Sequence, residues 1–124
     1  MKLQLKKTEV LDLKLGKSID EPFEDGFSYE VALSEDNSKI VAIVFSLTLE
    51  TEEKFRLNLK YRAIFETDED LTEDDMTSHF FSVNAPAIAY PFLRAYIGNL
   101  LLNSGMEPIL LPSVNFAALV REQA

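Results

Sequence analysis

The stretch VAIVFSLTLETEEKFRLNLKYR, from Val41 to Arg62, contains two segments in which apolar and polar residues alternate. The apolar residues stand at every second position, at Val41, Ile43, Phe45, Leu47 and Leu49 and again at Phe55, Leu57, Leu59 and Tyr61. Side chains alternate between the two faces of a strand, and "TEE" between the segments is short. The pattern therefore predicts two antiparallel strands of a sheet with one buried and one solvated face.

Two more strands are predicted on the N-terminal side of this pair. Residues 27–33 alternate in the same way and precede the turn-rich segment SEDNSK. Leucines at positions 3, 5, 11, 13 and 15 share one parity, which Lys7 and Glu9 interrupt. This predicts a long first strand with a bend or a change of surroundings midway. The connection SIDEPFEDG between the two strands is predicted to lie at the surface.

The last third of the chain is predicted to be helical. Residues 85–102 carry one formal charge, Arg94, and their large apolar residues recur at helical spacing. Prolines at positions 86 and 91 punctuate the start, so we expect the regular helix to begin near Pro91 and to stop at the segment Asn103–Gly105. The helix is too short and too interrupted to span a bilayer, and we expect no membrane insertion.

These elements predict a single α+β domain over residues 1–124. Its parts are a four-stranded antiparallel sheet over about residues 1–66, an acidic connection over 66–78 and a helical part over about 85–124. The helical part contains a long apolar helix, a proline-bounded loop and a short C-terminal helix.

The long helix is apolar around most of its circumference, so covering one face of the sheet buries only part of it. Leaving four or five large side chains in water would forgo about 6–15 kcal/mol, which is comparable to the net stability of a whole domain. The simplest cover is a second copy of the chain. We therefore expect a homodimer or homotetramer in which this helix or the first strand lies at the interface, with Phe92, Tyr96 and Leu100 as candidate interface residues.

Composition limits the classes of function. The chain has 124 residues, 47% of them hydrophobic, no cysteine and a formal net charge of −9. The absence of cysteine excludes disulfides and thiolate metal sites and fits a cytoplasmic location. The negative charge argues against nucleic-acid binding. The N-terminal segment alternates polar and apolar residues, and we expect no signal peptide.

No residue pattern predicts catalysis, a metal site or a cofactor. His79 is the only histidine, and no nucleophile motif accompanies it. An EF-hand beginning at Asp68 would put Glu73 where glycine is needed and His79 where the bidentate glutamate belongs. We therefore predict that the protein is not an enzyme, and that the acidic run Glu66–Asp75 is a mobile solvated loop.

The C-terminal third resembles the SecB family of export chaperones. That family has a similar Pro-aromatic-x-Arg run in a helix ending at glycine, followed by a proline-bounded loop and a Pro-Val-Asn-Phe-x-Ala-Leu signature. The matching positions are Pro91, Arg94, Gly105, Pro108, Val114, Asn115, Phe116, Ala118 and Leu119. Ser113 stands between Pro112 and Val114, so this loop is one residue shorter and its proline is displaced.

The resemblance implies a SecB-like fold with a cleft that receives extended, non-native polypeptide beside the loop EPILLPSVNF, residues 107–116. The candidate groove residues are Ile109, Leu110, Leu111, Phe116 and Phe65. The export chaperone engages the motor SecA through a longer final helix and tail, whereas this chain stops at Ala124. Coupling to SecA is therefore not expected.

Two questions stay open from the sequence. Ile109–Leu111 either line the groove or close the core of the monomer, since stiff apolar loops are usually buried. The chain is either a homo-oligomeric chaperone, general or dedicated to particular clients of protein transport, or a folded adaptor for one specific protein. A small-molecule binder or enzyme would need convergent polar groups, which the sequence does not show. We favour the chaperone.

Overall fold

Strands β3 and β4 form the centre of the sheet. The computed structural model describes residues 1–17 and 23–123, with strands β1 (Leu3–Lys17), β2 (Gly26–Leu33), β3 (Ile40–Glu50) and β4 (Phe55–Thr67) in the antiparallel order β1-β4-β3-β2. A 3-10 helix (Glu73–Thr77), a π-helical turn (Phe80–Asn84), helix α1 (Ala85–Asn103) and helix α2 (Phe116–Gln123) follow. The predicted α+β order of elements is confirmed.

The inner face of β3 and β4 contains most of the core. Val41, Ile43 and Phe45 of β3 are completely buried, as are Leu57 and Ala63 of β4. Helix α1 supplies the opposing layer through a stripe in which every fourth residue has no exposed surface, Ala85, Ala89, Leu93, Ile97 and Leu101. This four-residue spacing follows one side of a helix, so a single stripe covers the two central strands.

Two bulges explain the interrupted leucine pattern of β1. The register with β4 shifts between Leu5 and Lys7 and again between Val10 and Asp12. Each shift moves the following side chains to the other face of the sheet. Odd-numbered residues therefore face inward at both ends of the strand and outward in its middle, where Lys7 and Glu9 lie. The predicted change midway along this strand is confirmed.

The outer face of the sheet carries ion pairs between neighbouring strands. Glu9 of β1 accepts hydrogen bonds from Arg62 of β4, and Glu50 of β3 lies 3.2 Å from Arg56 of β4. Hydrogen bonds from Arg62 and then Lys7 hold the pKa of Glu9 below its usual value. The basic side chains on the outer face of β4 are thus partly neutralised by acids of the adjacent strands, and such surface pairs contribute little to stability.

Helix α1 begins earlier than the sequence predicted. It starts at Ala85, after the π-helical turn, and continues through Pro91. Pro86 lies in the first turn, where a backbone N–H has no partner within the helix, so a proline there is tolerated. The expected end is confirmed, because Gly105 has a φ of +83° and Met106 donates its N–H to the Leu101 carbonyl at 2.9 Å. This is the usual glycine termination of a helix.

The acidic segment is more ordered than a solvated loop. Leu71 and Met76 are buried, and the Leu71 N–H donates to the Ser38 carbonyl at 2.8 Å. The carboxylate of Asp75 accepts a 2.8 Å hydrogen bond from the Thr72 N–H, which caps the 3-10 helix. Two apolar anchors and a capping box therefore fix a segment that its charge alone marks as mobile. The prediction of a solvated loop was therefore wrong for Leu71, which is buried.

Replacing Asp75 with alanine should destabilise the protein by about 1 kcal/mol, because it removes the side chain that caps the 3-10 helix. Asp74→Ala is the matched control, since Asp74 is exposed and should change stability by no more than about 0.5 kcal/mol. Thermal unfolding of the two variants measures the difference. Equal melting temperatures would show that the capping box does not anchor the segment.

Candidate functional site

Five aromatic side chains meet where the sheet, α1 and α2 come together. They are Phe27 and Tyr29 of β2, Phe45 of β3, Tyr90 of α1 and Phe116 of α2, and we call them the aromatic cluster. Neighbouring ring centroids lie 5.2–6.4 Å apart, several of them in edge-to-face contact. These are the separations at which aromatic pairs attract one another beyond the burial of their area.

An open cavity of about 290 Å³ lies beside this cluster. We call it the β2–loop cleft, because strands β2 and β3 form one side and the loop between α1 and α2 forms the other. Its walls include Phe27, Leu47, Leu49, Tyr90, Leu111, Pro112 and Val114. Asp25 and Thr48 are the polar side chains beside it among the described residues, apart from the Tyr90 hydroxyl. The cleft is therefore suited to apolar side chains.

Two tyrosine hydroxyls tie the parts of the site together. Tyr90 of α1 donates a 2.7 Å hydrogen bond to the Pro112 carbonyl in the loop, and Tyr29 of β2 donates a 2.6 Å bond to the Ser82 carbonyl in the π-helical turn. Burial raises the pKa of both tyrosines above the usual value of 10. Both hydroxyls therefore stay protonated, as donors, at neutral pH.

The candidate groove residues fall into different environments. Leu111 and Phe116 are buried at 9% and 3% exposure, the former in the cleft wall and the latter in the aromatic cluster. Ile109 is half-buried, and Leu110 is 82% exposed on the other side of the loop. Phe65 lies outside the cleft and has no exposed surface, because it packs in the sheet beside Val41 of β3.

The candidate interface residues lie on a different side of α1. Phe92 is 49% exposed, whereas Leu100 and Tyr96 are half-buried, and the Tyr96 ring lies 5.4 Å from that of Tyr61. Tyr61 of β4 is in turn paired with Val10 of the neighbouring strand β1. Val10 and two nearby apolar residues of β1, Leu11 and Leu13, are exposed. This side of α1 and the edge of β1 therefore present apolar surface to solvent.

The sequence did not identify Phe27, Tyr29 and Tyr90 as site residues. The available signal was two aromatic residues at inward positions of β2, opposite Leu47 and Phe45 of β3. That signal places the rings on the inner face of the sheet. How far these rings are exposed depends on where the loop between α1 and α2 packs. The local sequence pattern does not contain that information.

The described part of the chain contains neither a membrane-spanning helix nor a metal-binding cluster. No helix there combines the length and the hydropathy that crossing a membrane requires. Residues 1–17 and 23–123 also contain no group of three or more histidine, aspartate and glutamate side chains placed to hold a metal ion.

Solved structures confirm the fold. The structure aligns with that of the SecB-like chaperone Rv1957 of Mycobacterium tuberculosis, which was solved in complex with a ChAD peptide from the antitoxin Rv1956 HigA1. The alignment covers 90% of this chain and 87% of the other, with a TM-score of 0.66 and 16% sequence identity. A Streptococcus agalactiae protein of unknown function aligns with a TM-score of 0.60 and 9% identity, over 91% of this chain and 98% of the other.

Sequence comparison identifies the family. A protein-export protein SecB of Rickettsia africae is 30% identical over 115 residues, which are 91% of this chain and 67% of the relative. The SecB of Anaplasma phagocytophilum is 31% identical over 97 residues, or 77% of this chain and 56% of the relative, so this chain spans little more than half the length of that protein. The family model of SecB, the preprotein translocase subunit, matches residues 12–124. The chain therefore belongs to the SecB family.

Proposed function

We propose that this protein binds extended segments of non-native polypeptide in the β2–loop cleft and acts as a chaperone. The observation that carries this proposal is the position of the cleft, which opens beside five clustered aromatic rings and is walled by aliphatic side chains. Such a surface binds large apolar side chains with little selectivity among sequences. Unfolded chains expose such side chains, whereas folded proteins bury most of theirs.

The free edge of β2 supplies a second mode of contact with an extended chain. Ser34 donates its N–H to the Ile40 carbonyl at 3.0 Å. Residues that hydrogen-bond to the neighbouring strand alternate with residues that do not, so this bond and the register identify which residues of β2 bond to β3. The N–H and C=O groups of Phe27, Tyr29 and Val31 then point away from β3, and no other described strand pairs with β2. An added strand would bind there through its backbone, independently of its sequence.

Similarity to known proteins supports a polypeptide ligand. The SecB-like chaperone of Mycobacterium tuberculosis carries a bound peptide, and the Rickettsia and Anaplasma relatives are protein-export proteins. The described walls of the cleft are mainly apolar, with Asp25, Thr48 and the Tyr90 hydroxyl as the polar groups, and such a surface is suited to binding apolar side chains. We therefore propose a non-enzymatic binder of unfolded chains and, from its membership of the SecB family, a cytoplasmic location.

We further propose that the working form is a homodimer or homotetramer. The exposed apolar residues of α1 and β1 lie on neighbouring parts of the surface, linked through the contact of Tyr96 with Tyr61. Burying each large side chain of this kind contributes about 1.5–3 kcal/mol. Phe92, Tyr96 and Leu100 are then interface residues on α1, with Val10 and Leu13 on β1.

A carboxylate in the wall of the cleft should weaken client binding. Val114 is half-buried and lines the cleft, so Val114→Asp would place a charge against apolar side chains. We expect at least about a tenfold loss of affinity for reduced, carboxymethylated α-lactalbumin, which remains unfolded, because one lost apolar contact is worth about 1.4 kcal/mol or more. Fluorescence anisotropy of the labelled client measures the affinity.

The matched control for this variant is Val120→Asp, which introduces the same charge at a half-buried valine of α2. It should retain wild-type affinity. Failure of the wild-type protein to bind the unfolded client, together with capture of one folded protein from lysate, would favour the adaptor hypothesis instead.

Light scattering at about 20 µM should show wild-type protein as a dimer or tetramer. Phe92→Glu should shift it toward the monomer, since a buried unpaired carboxylate is costly at an interface. Lys60→Glu is the control, because Lys60 is exposed on the outer face of the sheet. A monomeric wild-type protein at this concentration would contradict the proposed assembly.

A further inference from the structure

A second cavity lies between α1 and the loop that follows it. It is a groove of about 500 Å³, which we call the α1 groove, and this volume is typical of small-molecule sites. Its floor is one side of α1, with Arg94, Ala95, Gly98 and Leu102, and its wall includes Ile109 and Leu110 of the loop. The groove shares no lining residue with the β2–loop cleft.

Arg94 is the one charged residue among the described residues that line the groove. No carboxylate in the described part of the chain pairs with it, and its Nε atom is buried without a hydrogen-bond partner. The Tyr90 ring lies 6.0 Å from the guanidinium carbon, at the outer limit of a cation–π contact. Buried polar groups normally have a partner. Arg94 is partly exposed, so its guanidinium can donate to an acceptor in the groove.

Small residues form the middle of the floor. A Cβ atom added at Gly98 would meet no other atom within 4 Å, so packing inside the molecule does not require a glycine there. Glycine in the middle of a helix costs stability relative to alanine. Gly98 and Ala95 leave a shallow channel along α1, and Leu110 on the wall is 82% exposed. The groove therefore presents apolar surface that a narrow ligand would cover.

Charge around the groove runs in one direction. Arg94 and Leu102 are about 12 Å apart along α1, at about 1.5 Å per residue. Leu102 lies near the C-terminal end of the helix, where the helix dipole places partial negative charge. Glu107, which precedes Pro108 of the wall, adds an acid at this end, and its N–H donates to the Glu53 carboxylate at 3.4 Å. A ligand with one carboxylate at Arg94 and an uncharged tail toward Leu102 therefore matches the groove.

The walls of the groove are better suited to an alkyl chain than to a peptide. A peptide brings a backbone donor and acceptor with nearly every residue, and each costs free energy if buried without a partner. The floor is an α-helix, most of whose backbone groups bond within the helix, and Pro108 on the wall has no N–H. Asn99 is the only polar side chain besides Arg94 among the described lining residues. An alkyl chain needs no such partners.

The proposed assembly leaves the groove open. Phe92 of the proposed interface lies about 120° around the helix from Gly98, given about 3.6 residues per turn. The groove and the interface are therefore on different sides of α1.

We propose that the α1 groove binds a free amphipathic carboxylate, with its carboxylate on Arg94 and an unbranched alkyl chain along Ala95, Gly98 and Leu102. A guanidinium and a carboxylate form paired, charge-assisted hydrogen bonds, and the alkyl chain covers the exposed side chain of Leu110. This inference goes beyond the proposed function, because it concerns a different cavity and a different class of ligand.

Isothermal titration calorimetry of the full chain with decanoate, below the concentration at which decanoate forms micelles, tests the site. Arg94→Gln should weaken binding by at least about tenfold, because it removes a charge-assisted pair. Arg94→Lys keeps the charge but loses the planar fork, so its affinity should be intermediate. Arg121→Gln is the matched control, since Arg121 is exposed on α2, and it should bind decanoate as the wild-type protein does.

Side chains at position 98 test the path of the alkyl chain. Gly98→Leu fills the channel and should abolish decanoate binding, whereas Gly98→Ala adds one methyl group and should weaken it less. Both variants replace a helical glycine, so both should melt at or above the wild-type temperature, which separates a filled groove from a misfolded protein. Wild-type protein that does not bind decanoate would overturn the site, as would wild-type affinity in Arg94→Gln or Gly98→Leu.

The chemistry of the ligand is tested with three further probes. Decanol lacks the carboxylate and should bind at least about tenfold more weakly than decanoate. Decanedioate should also bind more weakly, because its second carboxylate would lie near Glu107 and the C-terminal end of α1. The capped acidic peptide acetyl-DLALA-amide should not compete with decanoate. Binding of this peptide that depends on Arg94, without binding of decanoate, would assign the groove to polypeptide and overturn the proposal.

Discussion

The burial of the inner face of β3 and β4 under α1 is the contact on which the rest of the structure depends. The two central strands place a continuous apolar surface inward, and the stripe from Ala85 to Leu101 meets it with no exposed residue. Small residues at Ala85 and Ala89 allow the first turns of the helix to approach closely. Once α1 is placed, its glycine-terminated end sets where the loop between α1 and α2 begins.

The candidate site arises where this cover is incomplete. Helix α1 covers the central strands, whereas the inward aromatic residues of β2 meet Tyr90, Phe116 and the loop. A loop with two prolines has few backbone donors and cannot seal this region as a strand or helix would. The result is an apolar cleft beside a free strand edge, which is the combination that an extended unfolded chain needs.

Most of the described charge lies away from this apolar site, and Asp25 is the charged residue described beside the cleft. Acids and bases on the outer face of the sheet neutralise one another across strands, as in the pair of Glu9 and Arg62. The acidic segment 66–78 is anchored by Leu71 and Met76 and directs its carboxylates mainly to solvent. A net charge of −9 then favours solubility of a protein that exposes Phe92 and Leu110.

The sequence by itself determined the strands, the parity change in β1 and the glycine end of α1, because alternation, bulges and left-handed backbone are consequences of local geometry. The motif from Pro91 to Leu119 also identified the family. Tertiary structure alone decided that α1 begins at Ala85 despite Pro91, that Leu71 and Met76 anchor an acidic run, and that Leu111 is buried while its neighbour Leu110 is exposed. Each of these depends on which distant surface is available to cover a side chain, and residues adjacent in sequence carry no information about that surface.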